Sequence, residues 1–151
     1  MALVDIKVPT EDVAVPGGSL TVRGLSLNDL TVLLSGFRTE LERIFAHMEK
    51  MGSVSMEGMA EIADTLLLKS PTLVAHAILL AADEEITSEA VKQALKLSIG
   101  VQTDAIEKIG RLTFEGSGGV KKFLGTLVKI SKGVAATVGE LEAPGSGVSL
   151  S

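Results

Sequence analysis

Few side chains in this sequence are suited to chemistry. Among its 151 residues are two histidines and no cysteine, tryptophan or tyrosine. Histidine is the usual acid, base and metal ligand near neutral pH, so His47 and His76 are the first candidates. Neither stands in H-E-x-x-H or at another spacing that would place a second ligand one helical turn away. His76 lies between alanines in an apolar segment and reads as a neutral core or groove residue. His47 reads as a surface residue near a helix end. Glu84 and Glu85 could share a proton or a cation, but adjacent acids in a polar connection are ordinarily just solvated. The run GSGG at 116–119 precedes a helical pattern, where free N–H groups attract anions. It lacks the lysine and hydroxyl of G-x-x-x-x-G-K-[ST], so a hinge is the better reading. No serine stands in G-x-S-x-G. We therefore expect no enzyme, no metal site and no cofactor, which leaves binding.

Composition narrows the binding classes. The formal net charge of −5 disfavours nonspecific attachment to DNA or RNA, which rests on cations displacing counterions from phosphates. The lack of cysteine excludes disulfides and thiolate sites and fits a reducing compartment. The start MALVDIKVPTED has acids near its front and no long apolar stretch, unlike a secretory leader, so the chain is expected to stay where it is made. The longest apolar run, LVAHAILLAA from Leu73 to Ala82, is about half of the roughly 20 residues a membrane span needs. Apolar residues make up 46% of the chain with only four Phe, so the core must be aliphatic. A chain of this size buries roughly two-thirds of its unfolded surface, enough for one domain.

The elements that would position any binding surface can be read from spacing. LVDIKV at 3–8 puts Val4, Ile6 and Val8 on one face, as in a strand. Pro16-Gly17-Gly18 then marks a turn between two β-prone segments. A small N-terminal hairpin or sheet of two or three strands is expected, lying against helices because it is marginal alone. Ser26 can cap a helix reaching about Met51, with Asp29 in its first turn. On this helix Leu30, Leu33, Leu34, Phe37, Leu41, Ile44, Phe45 and Met48 form one stripe, and Gly36 invites a kink or a close helix contact. A second helix carries Met56, Met59, Ile62, Ala63, Leu66 and Leu67 inward. Ser70 and Pro71 open a third, ending near Asp83. Thr87 caps a fourth, and a fifth runs from about Gly100 to Phe114. The fold class is mainly α: a helical bundle of about five to six helices behind a small N-terminal β-hairpin or sheet.

After EGSGG, residues 120–134 form a basic amphipathic pattern. Val120, Phe123, Leu124, Leu127, Val128, Ile130 and Val134 fill one half of a helical wheel, and Lys121, Lys122, Lys129 and Lys132 the other. Three readings stay open: a helix packed on the domain, a docking helix for another protein, or a membrane-surface helix. The lack of Trp and of a lipidation signal counts against the last. The division expected is a hairpin plus helical body at 1–115, the basic helix at 116–136, and a flexible tail at 137–151.

LTVRGLSLNDLTVLL at Leu20 to Leu34 is a short strand ending in Val22-Arg23-Gly24-Leu25-Ser26, followed by a helix start containing Asp29. It resembles the N-terminal region of tail assembly chaperones of long-tailed bacteriophages, proteins encoded just before the tape measure protein. The resemblance implies a protein that binds and solubilises the tape measure protein in the host cell cytoplasm and helps tail tube subunits assemble around it. It also implies, in many such phages, a frameshifted longer form, which would diverge here from about Gly139. Homo-oligomers are possible; no nucleic acid or membrane partner is expected. A structural tail or capsid-associated subunit that stays in the virion is the alternative. Within the motif, Gly24 permits the turn out of the strand, Leu25 acts as a staple and Ser26 caps. For the client surface we single out Met48, Met51, Met56 and Met59, because flexible Met adapts to varied apolar partners. Phe123, Leu124, Leu127, Lys121 and Lys122 of the basic helix join them. The methionines either rim a groove or fill gaps in the core.

Overall fold

The structure is a computed structural model that describes residues 1–51 and 56–116, together with 119, 122, 125, 126 and 129. Its mainly helical architecture agrees with the sequence pattern: a hairpin followed by five helices among the described residues. Strands β1 (Thr10–Val15) and β2 (Gly18–Arg23) pair antiparallel, from Val15 opposite Gly18 to Thr10 opposite Arg23. Pro16 and Gly17 form the turn. Gly17 sits at φ +85°, a conformation that glycine reaches without a Cβ clash, and proline before it pre-sets the first turn residue. One face of the hairpin is apolar: Val13 and Val22 are fully buried against Ala105, Ile106 and Ile109 of α5 (Ile99–Gly116). The opposite face is polar, with the Thr21 hydroxyl donating to Asp12 Oδ1 at 2.8 Å.

Residues 3–8 are not a strand. Leu3–Asp5 forms a single 3-10 turn, and Val4, Ile6 and Val8 are 91%, 54% and 59% exposed. Period-two spacing needs a neighbouring strand to become a ladder. Only Pro9 separates Val8 from β1, and a reversal onto β1 takes at least two residues.

Helix α1 (Leu27–Met51) breaks at Phe37, whose φ −134° and ψ 38° are non-helical, one residue after the glycine that sequence marked. Leu30, Leu33, Leu34, Leu41 and Met48 are buried along its stripe. Helix α2 spans Met56–Lys69, α3 Pro71–Ala81 and α4 Ser88–Leu95. α3, apolar apart from Thr72 and His76, is covered on two sides: Val74, Ala77 and Ile78 join the main core, while Ala75 and Leu79 meet Ala94 of α4. The core is aliphatic, its largest fully buried side chains being Leu33, Ile78, Val13, Val22 and Val74.

The caps divide. Thr87 Oγ1 accepts from the Ala90 N–H at 3.0 Å, as expected. Ser70 occupies the N-cap position of α3 but its hydroxyl makes no capping bond, since Pro71 already removes one of the orphan N–H groups a cap would serve. The end of α4 is closed from outside, by the Gln102 amide of α5 donating to the carbonyls of Ala94, Leu95 and Leu97 at 3.2, 3.3 and 2.9 Å.

Candidate functional site

The strand-to-helix corner at Val22 to Ser26 fixes where α1 starts. Ser26 and Asp29 form a reciprocal capping box: the Ser26 N–H donates to Asp29 Oδ2 at 2.8 Å and the Asp29 N–H donates to Ser26 Oγ at 3.2 Å, which satisfies two orphan donors at once. Leu25 and Leu30, before the cap and one turn into the helix, pack in one cluster as a staple does. Arg23 ties this corner to the far end of α3. Its guanidinium donates to both Asp83 oxygens, to the Leu80 carbonyl at 3.0 Å, to the Gly24 carbonyl at 2.9 Å and to Asp29 Oδ2 at 2.6 Å. Burial alone would raise the Asp29 carboxyl. Hydrogen bonds from Arg23 and Ser26 outweigh it and hold that group below its ordinary range. The Asp83 pair, followed by that with Asp29, pushes Arg23 further up.

Asp83 stands at φ +56°, where a Schellman closure of α3 places it: its N–H donates to the Leu80 carbonyl at 3.1 Å and that of Glu84 to Leu79 at 2.9 Å. Glycine is usual there. Asp is tolerated in this conformation, and its carboxylate is what Arg23 grips. Gly24 is required for a reason other than the expected turn. A Cβ on it would lie 2.8 Å from the backbone of Leu112 and Thr113, so strand and α5 touch main chain to main chain. Beside that contact the Leu25 N–H donates to Thr113 Oγ1 at 2.8 Å, and that hydroxyl donates to the Ile109 carbonyl at 2.6 Å.

The corner is structural; the open surface lies elsewhere. Among the described residues, α1 packs chiefly on α3, and α2 on α5 and α3, while α1 and α2 meet through side chains such as Met48 against Ile62. The splayed pair leaves a groove of about 450 Å³. Ile44 of α1 and Ile62 and Leu66 of α2 line it, flanked by Glu40, Arg43, His47 and Lys69. Arg43, His47 and Lys69 are exposed. The same Ile44, Ile62 and Leu66 also border a wholly apolar space of about 110 Å³ reaching Met48 and Phe114.

The structure places the sequence candidates unevenly. Met48 is inside, 2% exposed, packed with Ile62 against Ile44, Phe45, Leu66 and Phe114; it fills a gap. Met51 ends α1, and Met56 and Met59 lie in the first turn of α2, but their side chains lie outside the described residues, as do Lys121, Phe123, Leu124 and Leu127. Lys122, Gly125, Thr126 and Lys129 are helical and exposed, with the Thr126 hydroxyl donating to the Lys122 carbonyl at 3.1 Å. His76 is half-buried; its Nδ1–H donates to the Thr72 carbonyl at 2.8 Å and its ring meets Phe37 edge-on at 5.0 Å. His47 is exposed on the groove. No group of three acids or histidines able to hold a metal exists among the described residues, and none of their helices alone is long and apolar enough to cross a membrane. Sequence reading missed Arg43 and Lys69 as flanking cations, because their meeting depends on how the two stripes splay.

Comparison with curated proteins and with solved structures gives no match. One family's sequence model, described as Pre-tape measure protein, matches residues 1–146.

Proposed function

The chain belongs to the pre-tape measure protein family, and from that premise we propose that it is a bacteriophage tail assembly chaperone. Membership ties it to the phage tail, and the family's description to the tape measure protein. In this reading the protein holds the tape measure protein soluble in the host cytoplasm by binding alone, making and breaking no bond. The observation that carries the reading is the groove between α1 and α2. Its floor of Ile44, Ile62 and Leu66 suits the apolar stripe of a client helix. Arg43 and Lys69 beside it suit carboxylates flanking that stripe, in a protein whose own net charge is −5. Met51, Met56 and Met59 lie in the helix ends nearest the α1–α2 connection.

Co-expression with the tape measure protein of the same phage tests this. The expected result is a several-fold larger soluble fraction of the tape measure protein, reduced when Arg43→Glu and Lys69→Glu are combined while far-UV circular dichroism is unchanged. If the wild-type chain gives no gain in solubility, the chaperone reading falls. If the charge-reversed chain works as well as wild type, the groove is not the contact. Stoichiometric presence in purified virions by mass spectrometry would instead favour a retained structural subunit.

A further inference from the structure

The N-terminal arm has the pattern of a strand and no strand beside it. Val4, Ile6 and Val8 alternate with Asp5 and Lys7, yet 54% or more of each apolar residue is exposed, and Leu3 is 83% exposed. The hairpin behind it has two strands, which leaves two outer edges. On β1 the Asp12 carbonyl is taken by Lys108 Nζ at 2.7 Å, a lysine guard of the kind that blunts an edge. On β2, from Gly18 to Thr21, the described residues make no backbone hydrogen bond outside the hairpin ladder. The hairpin also sorts its faces as the arm would. Val13, Leu20 and Val22 point inward, and Asp12, Ala14 and Thr21 outward. A third strand with Val4, Ile6 and Val8 inward and Asp5 and Lys7 outward continues both faces.

We propose that residues 3–8 are a strand donated to a second copy of this chain, where they pair with the open edge of β2, so that the protein self-associates by exchanging its arms. The donor cannot satisfy its own hairpin. Pro9 alone separates Val8 from Thr10, too short a connection for a reversal onto β1. Reaching the far side of β2 means crossing two inter-strand spacings, about 10 Å, which uses roughly three residues and withdraws Val8 from the pairing. A second chain has no such limit. Main-chain hydrogen bonds then give the attachment and the alternate apolar side chains give the register.

Light scattering coupled to size exclusion reads the outcome, against a monomer mass of 15.7 kDa. Wild type is expected at twice that mass or more. Val4→Asp combined with Ile6→Asp, which leaves both hairpin strands and helices α1 to α5 untouched, is expected to return the monomer with unchanged circular dichroism. Lys7→Pro keeps all three apolar side chains but removes an N–H from the arm, and is expected to do the same. A monomeric wild type overturns the proposal, and so does unchanged mass in both variants. Loss of association in the acidic variant with retention in Lys7→Pro overturns strand pairing and leaves an apolar contact in its place. None of these outcomes depends on the tape measure protein.

Discussion

Arg23 donates to groups on three segments: its own strand end, the start of α1 and the end of α3. Truncating it to Ala leaves the Asp29 carboxylate, with a side chain only 5% exposed, without its charged partner. We expect a loss of about 3 kcal/mol, the usual penalty for stranding one member of a buried pair, seen as a lower urea midpoint. Lysine should not rescue it, because one ammonium cannot span both partners as a planar fork does. Asp29 also sets a pH dependence. Its folded value lies below an unfolded value near 3.9, so its contribution is fully present above about pH 4 and is lost as pH falls through the folded value. Asp29→Asn should therefore be less stable than wild type at pH 7 and show a shallower loss of stability below pH 4; parallel acid limbs for the two chains would contradict this. Gly24→Ala should cost about 1–3 kcal/mol, since a Cβ at 2.8 Å from backbone forces the strand away from α5.

At the scale of elements, α1 offers a prediction of opposite sign. Gly36 has open space where a Cβ would stand, and glycine in a helix costs up to about 1 kcal/mol relative to Ala. Gly36→Ala should raise the melting temperature by a few degrees; a drop would mean that the break at Phe37 requires the glycine. Elements were largely legible in the sequence wherever their cause is local. The Pro16-Gly17 turn, the Ser26 and Thr87 caps and the stripe from Leu30 to Met48 all follow from residues a few positions apart. Features set by distant partners were not legible. Arg23 and Asp83 stand 60 residues apart, Gly24 answers to the α5 backbone, and residues 3–8 have the spacing of a strand without the neighbour that makes one. A non-glycine in the left-handed position after α3 carries no sequence mark beyond the tolerance of Asp for it. The groove shows the same limit: Ile44 and Leu66 were readable as apolar positions, but not the angle at which their helices diverge.

For the whole molecule, one end of the bundle is held firmly and the other loosely. The corner end has main chain against main chain at Gly24, a capping box and the Arg23 fork. The α1–α2 end has Met48 against Ile62 and an open groove. Amide hydrogen exchange should follow that gradient, with residues 38–50 of α1 exchanging faster than residues 30–36; the proposed chaperone function further predicts that residues 38–50 gain protection on addition of the tape measure protein. Uniform protection along α1 would contradict it. The break at Phe37 is where the two regimes meet, with the ring resting on His76 of α3. Under the proposed chaperone function the break would serve as a fulcrum, the far arm of the helix swinging to match guests of different girth while the anchored arm keeps its seat. One small protein could thus walk along a long and uneven guest, re-gripping at each segment without first loosening its own foundation.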